Sequence, residues 1–509
     1  MTIDPAETGR TTDGAALVLA SLENWLKYTD LTEPARGRKQ WAGMLDLPLP
    51  DDPAGFEPAI AELAQHVIPN GLPIGAPGFN GFITTGPTTT AALAQFAAAV
   101  AGPQRYGVSA FNLLEEVSLR WLAELCGLPA GLQGVYSSGG STANILALGA
   151  ARQAAFETRG IDIGRDGLPG DVRAVLYASS ESHHSVQRAA AVLGLGRSGV
   201  RAVPVDNRQR LDVAALEQLL QADRAAGVLP VAIVANAGTT NTGAVDPIDA
   251  IADVAERYEV WLHIDGAYGL PAAGVPELAP LFTGSDRAQS WIVDPHKWLA
   301  TGVGCGATFV RDARLLHDAF TQTPATYLAA GGAPRTDSGT RGRQSAGWAF
   351  QDFGVHYDDL SMELSAPPRG VLVWIVLREI GRQGLQSRIR QHIGFARRLT
   401  DIAARHPQLQ TLIEPQLSIA AVRFLPTGQQ QAQAEIDELN SEILNRVWRE
   451  TPYYPTSTVV NGRFAIRPAY INPRTTIEHV DGLAAAIVRL GDELTTVPGD
   501  DIRRPSPPA

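Results

Sequence analysis

The sequence predicts an α/β protein: a large domain on a mainly parallel sheet, a smaller α+β C-terminal domain and a helical N-terminal arm. Three observations lead there. Between about Gly134 and Asp312, short β-branched runs alternate with helical stretches. That order lays parallel strands side by side, with crossover helices on both faces. The chain has 509 residues, more than one minimal core, so two or three domains are expected. Hydrophobic residues make up 45% and charged residues 19%, a globular rather than a disordered or fibrous composition.

Taken in order, residues 1–100 read as helical and Pro-punctuated, an arm more than an independent core. Residues 101–384 form the large domain, with strands expected at 174–178, 202–205, 231–235, 260–265, 291–294 and 307–310. Helices are expected between them at 184–193, 213–222 and 247–258. A loop-like region, 321–365, precedes a helix-rich stretch that starts near Arg369. Residues 385–495 make the small domain, with strands at 417–424 and 463–467, and 496–509 form a Pro-rich flexible tail. No repeat of 20–50 residues is visible.

The formal net charge of −11 argues against a nucleic-acid partner and against docking on an anionic membrane surface. The apolar stretch 91–101 is too short to span a bilayer, which takes about 20 residues. Residues 1–10 carry two acids and no apolar run, so no secretory signal is expected. Two cysteines, Cys126 and Cys305, are too few for a disulfide framework or a Cys-rich metal site. A reduced, cytoplasmic setting is the expectation.

In an α/β sheet, ligands bind beyond the carboxyl ends of the strands. Four features fall there. Ser137-Ser138-Gly139-Gly140-Ser141-Thr142-Ala143-Asn144 leads into an Ala-rich helix. Paired glycines let backbone N–H groups approach an anion, and the helix N-terminus adds partial positive charge, which suits a phosphate. The plainer reading is a Ser/Gly N-cap. Second, a buried strand ends in Asp265, followed by Gly266-Ala267-Tyr268. A carboxylate there needs a cation, and the pyridinium nitrogen of pyridoxal 5′-phosphate (PLP) is one. A structural salt bridge is the competing explanation. Third, Asp294-Pro295-His296-Lys297-Trp298 follows another buried strand. Most lysines are solvated surface residues, but apolar flanks desolvate an amine and free it to form a Schiff base. Fourth, Ser182-His183-His184-Ser185-Val186 joins a strand to a helix. One histidine lies flat on a planar cofactor or caps the helix; adjacent histidines diverge, so at most one faces the site.

Two alternatives fail on context. Gly194-Leu195-Gly196-Arg197-Ser198-Gly199 matches G-x-G-x-x-G, but it follows a helix and precedes a strand, the reverse of a pyrophosphate site. It reads as a helix-ending loop. A metal site from His183, His184, His263 and Asp265 has no supporting ligand spacing.

With these residues assembled, the chain resembles the group II PLP-dependent amino-acid decarboxylases, which include aromatic-amino-acid, glutamate and diaminobutyrate decarboxylases. The resemblance runs from about Pro77 to Leu490. It rests on Ser138-Gly139-Gly140-Ser141, His183-x-Ser185-Val186, Gly238-Thr239-Thr240, His263-x-Asp265 and Asp294 to Trp298, in that order. It implies a fold-type-I enzyme, aspartate aminotransferase-like, acting as a homodimer with active sites at the interface. It also implies Lys297 as the cofactor lysine, His183 on the ring, Ala267 beneath it and Asp265 on the ring nitrogen. Gly140, Ser141, Thr239 and His296 complete the implied cofactor site. Arg467 occupies a C-terminal motif position common in the family. The departures are Ser365-Ala366-Pro367 where the family often has S-R-R, Thr142 for an acidic residue, and Ala110 near a frequent proline.

The expected reaction is decarboxylation of an L-amino acid to the amine and CO₂. Competing readings are transamination, decarboxylation-dependent oxidative deamination to an aldehyde, and a non-catalytic binding protein that kept the fold. Residues 77–82 and Gln104-Arg105-Tyr106 are expected to shape the pocket. Phe79, Phe82 and Tyr106 suit an aromatic or apolar side chain. A general acid is expected on the Gly- and Ser-rich lid at 331–357, with Tyr357 as the candidate and Tyr327 as its competitor.

Overall fold

The computed structural model describes residues 11–27, 38–46, 48–68, 71–103, 110–321, 355, 357–427 and 431–496. Their strands are β1 (Phe79–Asn80), β2 (Gln133–Ser137), β3 (Ala174–Ser179), β4 (Val200–Val203), β5 (Leu229–Asn236) and β6 (Trp261–Asp265). They continue as β7 (Ser290–Val293), β8 (Gly306–Val310), β9 (Leu409–Ile413), β10 (Ala421–Phe424), β11 (Tyr454–Val460) and β12 (Arg463–Arg467). Seven of them make the large sheet, in the order β2-β8-β7-β6-β5-β3-β4. Strands β4, β3, β5, β6 and β7 pair in parallel, and β8 runs antiparallel to both neighbours. Helices cover both faces, so β3 and β7 are buried along their whole length and read as unbroken apolar runs rather than alternating ones. The predicted strands recur within a few residues. Strands β2, β9 and β11 are not among those expected; the Gly-Val-Tyr-Ser core of β2 is held by its register against β8, and β9 and β11 by theirs against β10 and β12.

The glycine-rich stretch at 194–199 ends the helix Ser185–Val192 and enters β4 through a short 3₁₀ turn, the helix-ending loop expected. Gly194 and Gly196 there have φ of 80° and 74°, values that favour glycine.

The second sheet has the order β1-β11-β12-β10-β9. Its first strand comes from the N-terminal hundred residues. Phe79–Asn80 lies parallel to β11, Ala469 donates its N–H to the Asn80 carbonyl (2.8 Å), and Asn472 donates to Ala76 O (2.7 Å). A two-residue strand leaves no periodicity to read. The two cores meet inside one helix, Arg369–Arg405, which breaks its helical geometry at Gly381 (φ 62°). Val373, Val376, Ile389 and Ile393 pack into the large-domain core, while Phe395, Leu399 and Ala403 pack into the small one.

His392, on the same helix, accepts a hydrogen bond from Trp298 Nε1 at 3.0 Å. Burial pushes its pKa down to about 3, and buried His263 falls to about 4. Unfolded histidine titrates near 6.5, so between these values the unfolded chain takes up a proton that the folded chain refuses. Stability therefore falls as pH drops, by about 1.4 kcal/mol per pH unit for each histidine. Buried Asp246, raised to about 6, opposes this between its ordinary value near 4 and 6. His392→Gln keeps an acceptor for Trp298 but cannot titrate. It should flatten the pH slope of unfolding free energy between pH 4 and 6.5 by about 1.4 kcal/mol per unit. Urea titrations across that range check this, and an unchanged slope would show that His392 titrates alike in both states.

Candidate active site

The carboxyl ends of β2, β3, β5, β6 and β7 surround a cavity of about 320 Å³. Its first wall is the turn from β2 into the helix Gly140–Glu157. Gly139 adopts φ 145°, a region that favours glycine, and leaves the first helical turn without a side-chain cap. A Cβ on Gly140 would lie 2.7 Å from Asp294 Oδ2, and one on Gly306 would lie 2.7 Å from the Gly139 backbone. Backbone N–H groups at an uncapped helix start, approached this closely, form an anion seat. Ser138 Oγ and Thr142 Oγ1 stand 2.8 Å apart beside it, and Ser141 lines it.

The opposite end is set by β6. Asp265 is 7% exposed; its Oδ1 accepts from Ala267 N (3.2 Å) and its Oδ2 from Asn144 Nδ2 (3.1 Å). It has no ion-pair partner among the described residues, so a buried carboxylate faces the cavity with two neutral donors behind it. Strand β7 delivers Asp294, and a tight turn brings Lys297 N back to Asp294 O at 2.9 Å. The flanks of Lys297 are apolar as expected: Trp298 is fully buried and stacks on Tyr268 at 4.9 Å. The amine itself is not in an apolar setting. Lys297 Nζ pairs with Asp294 Oδ2 at 3.1 Å, because the intervening turn folds the two side chains onto each other. Asp294 Oδ1 is buried and has no hydrogen-bond partner among the described residues. His296 donates Nδ1–H to the Cys305 carbonyl (2.7 Å), which turns Nε2 towards Asp294 Oδ2 at 3.8 Å.

Between these walls, His183 follows β3 and enters the helix Ser185–Val192. Its Nδ1 lies 2.7 Å from Ser185 Oγ, and burial, opposed by the Asp265 charge, lowers its pKa. One of the two histidines, His183, lines the cavity as expected; the rings do not diverge, however, because exposed His184 lies against His183 with centroids 3.9 Å apart.

Seven of the sequence-derived positions line this cavity: Gly140, Ser141, His183, Asp265, Ala267, His296 and Lys297. Thr239 does not. Its hydroxyl is turned inward, accepting from Ala244 N (3.1 Å) beside Thr242 Oγ1, and Thr240 lines the wall in its place. Tyr357 starts a short 3₁₀ turn, Tyr357–Asp359, and is 2% exposed within the large-domain core, away from the cavity lining. Acting there would require it to leave that core. Tyr327, residues 331–354 and Gln104-Arg105-Tyr106 lie outside the described residues. Phe79 is spent on packing, buried and stacked on Tyr454 at 6.3 Å, whereas Phe82 is 59% exposed beside the cavity residue Ile83. The cavity lining also includes Asn236, which no sequence motif contained, and Ser138, Asn144 and Asp294, which stood in the motifs without an assigned role. Asn144 had a signal: it lies four residues after Gly140, on the same helix face.

Arg467 is buried and meets no carboxylate among the described residues. It donates to the carbonyls of Asn241 (2.9 Å), Phe82 (2.9 Å) and Thr240, and to Thr456 Oγ1 (3.2 Å). Burial lowers its pKa to about 10, which leaves it charged at neutral pH. It ties the loop carrying Thr240 to the small domain. Arg467→Met leaves these carbonyls without a donor and should destabilise the fold by about 2–4 kcal/mol. Urea unfolding checks this; a loss under about 0.5 kcal/mol, the range of ordinary surface changes, would mean water replaces the guanidinium. A wider groove of about 650 Å³ between the helices Arg369–Arg405 and Ile477–Thr496, bordered by Ile402, His406, Asp481 and Arg489, brings no reactive set together.

The pattern of the pyridoxal-dependent decarboxylase conserved domain matches residues 42–425. An aromatic-L-amino-acid decarboxylase of Bacillus atrophaeus is 30% identical over 383 residues, covering 75% of this chain and 74% of that protein. A phenylacetaldehyde synthase of Petunia hybrida is 27% identical over 469 residues, 88% and 87% of the two chains. Among solved structures, Oryza sativa TDC with PLP and tryptamine superposes with a TM-score of 0.87 at 26% identity, covering 97% of this chain and all of that one.

Proposed function

The chain belongs to the pyridoxal-dependent decarboxylases, carboxy-lyases whose cofactor is PLP, and from that premise we propose that it converts an aromatic or apolar L-amino acid to its amine and CO₂. The observation that carries the substrate class is the missing guanidinium. Among the described residues lining the cavity there is no arginine, and Arg467 spends its donors on carbonyls. An acidic side chain would find no charge to meet there, whereas Ile83, Tyr268 and Val303 offer apolar surface.

The residues present fit the cofactor: an anion seat at the start of a helix, a buried carboxylate without a cation, and a lysine between them. In this reading the helix start at Gly140 and Ser141 holds the phosphate with His296, and Asp265 holds a proton on the ring nitrogen. Lys297 would provide the covalent anchor, and His183 and Ala267 would hold the ring between them. Bound there, the cofactor supplies an electron sink for the pair left at the α-carbon when CO₂ departs. Asp294 Oδ2, 3.1 Å from Lys297 Nζ, would hold that amine in place.

The aldehyde outcome is kept as a second reading because the Petunia relative is named for an aldehyde product. On that route each turnover consumes O₂ and water and releases CO₂, ammonia and peroxide with the aldehyde. Purified protein with the twenty amino acids, in air and under nitrogen, separates the readings. Amine with equal CO₂ in both atmospheres is expected, from aromatic or apolar substrates. Aldehyde and peroxide that vanish under nitrogen would favour the second reading, and turnover only of glutamate or aspartate would overturn the substrate class.

The working unit in this reading is a homodimer with its sites at the interface. Leu93, Phe96 and Val100 form an exposed apolar row on the helix Thr89–Ala101, and Phe82 and Val303 are exposed at the cavity mouth. Surface of this kind suits a subunit contact. Sedimentation of an active monomer would refute it.

A further inference from the structure

Asn144 is 1% exposed, one turn into the helix that begins at Gly140. Its amide nitrogen donates to Asp265 Oδ2 (3.1 Å) and to Ser185 Oγ (3.0 Å), which uses both hydrogens. Its oxygen lies 2.9 Å from His263 Nε2. The reverse orientation would set that oxygen against a carboxylate, so Asp265 decides which way the amide points. An amide oxygen only accepts, so the His263 proton is on Nε2 and its Nδ1 accepts from the Ser290 hydroxyl (2.9 Å). Ser290 Oγ in turn accepts from Trp261 Nε1 (2.8 Å). On the other side, Ser185 Oγ already accepts from Asn144 and directs its own hydrogen to His183 Nδ1 (2.7 Å). The Ser185 N–H points to the same nitrogen at 3.3 Å. His183 Nδ1 is thus an acceptor, and the ring proton belongs on Nε2. From Trp261 to His183, every proton has one place.

We propose that Asn144, its oxygen held in place by His263, is a positioning residue that clamps the Asp265 carboxylate and fixes His183 as the Nε2–H tautomer at the cavity wall. The chain spans β6, β7 and two helices, so a single amide aligns a group for the cofactor's edge with one for its face. His263 itself stays outside the cavity lining and acts only through Asn144. Burial keeps both imidazoles on the neutral side, where a tautomer has meaning. The charges around His183 are those of Asp265, Asp294 and Lys297, with His184 as its titratable neighbour.

The inference rests on Asp265 meeting the ring nitrogen, and the experiment separates the two. In the protein without cofactor, carrying ¹⁵N-histidine, NMR should show His183 with an unprotonated Nδ1. Asn144→Leu, with unchanged circular dichroism, should give mixed His183 tautomers. With ¹⁵N-labelled PLP bound, its ring-nitrogen signal should move towards the unprotonated position, and PLP affinity should weaken roughly tenfold. His263→Leu should do the same more weakly. His263→Gln, whose amide can still donate to Asn144, should restore the wild-type signals. Should Asn144→Leu fail to fold, the His263 pair carries the same comparison. Wild-type His183 and ring-nitrogen signals in Asn144→Leu or His263→Leu would reduce Asn144 to a packing residue and sink the inference. If Asp265→Asn also left the ring-nitrogen signal unmoved, the assignment of Asp265 itself would fail.

Discussion

Lys297→Ala should leave a folded protein that still takes up PLP through its anion seat but turns over no amino acid. Lys297 is the lysine among the described residues that line the cavity, and its amine lies with Asp294 at the start of the turn after β7. Removing it deletes the covalent anchor. A fall in turnover of ~10⁴-fold or more, about 5.5 kcal/mol, is expected. The visible absorbance band of the lysine-linked cofactor should vanish with it. The substitution also strands the Asp294 carboxylate, whose side chain is 2% exposed. Breaking a buried pair from one side destabilises by about 3–5 kcal/mol, and the 19% exposure of the lysine side chain places this case at the lower end. A control therefore comes with it. Lys297→Ala combined with Asp294→Asn should regain most of the stability and none of the activity. Near-normal turnover in either variant would overturn the assignment of this site.

Lys297, Asp265 and His183 were legible for a common reason. Each is a polar group at the end of a largely apolar strand or within four residues of it, where burial makes it expensive unless something meets it. Chemistry at a strand end shows in the sequence because the strand and the reactive residue are contiguous. Asn144 and His263 failed to show because their meaning is a meeting of distant segments. Asn144 alone reads as a polar residue on a helix, and His263 as one polar position within a β-run. The pairing of Asp294 with Lys297 was hidden for a different reason. Their spacing is visible, but the apolar neighbours suggested desolvation, and only the fold of the turn shows the carboxylate under the amine. Among the elements, long apolar runs such as β5 announced themselves. Phe79–Asn80 did not, since it is a strand only because β11 lies beside it.

Asp265→Asn should lower kcat by roughly 10²–10⁴-fold, about 3–5 kcal/mol, with PLP bound to saturation. Two losses combine. The charge that holds a proton on the ring nitrogen is gone, and that proton is what lets the ring draw electrons from the α-carbon. The second loss is local to this chain. Both carboxylate oxygens accept from N–H donors, Oδ1 from Ala267 and Oδ2 from Asn144. An asparagine must turn its NH₂ towards one of them, setting donor against donor in a buried site. The amide therefore cannot rest where the carboxylate rested. Adding Asn144→Asp separates the two losses, since a carboxylate at 144 accepts from that NH₂ and still accepts from His263 Nε2. The double variant should recover stability over Asp265→Asn while kcat stays low, because the charge at 265 is still missing. Urea unfolding and steady-state kinetics on the four proteins make the comparison. A fall of less than about tenfold in Asp265→Asn would assign Asp265 another role, and recovery of kcat in the double variant would show that a carboxylate at 144 can stand in for the one at 265.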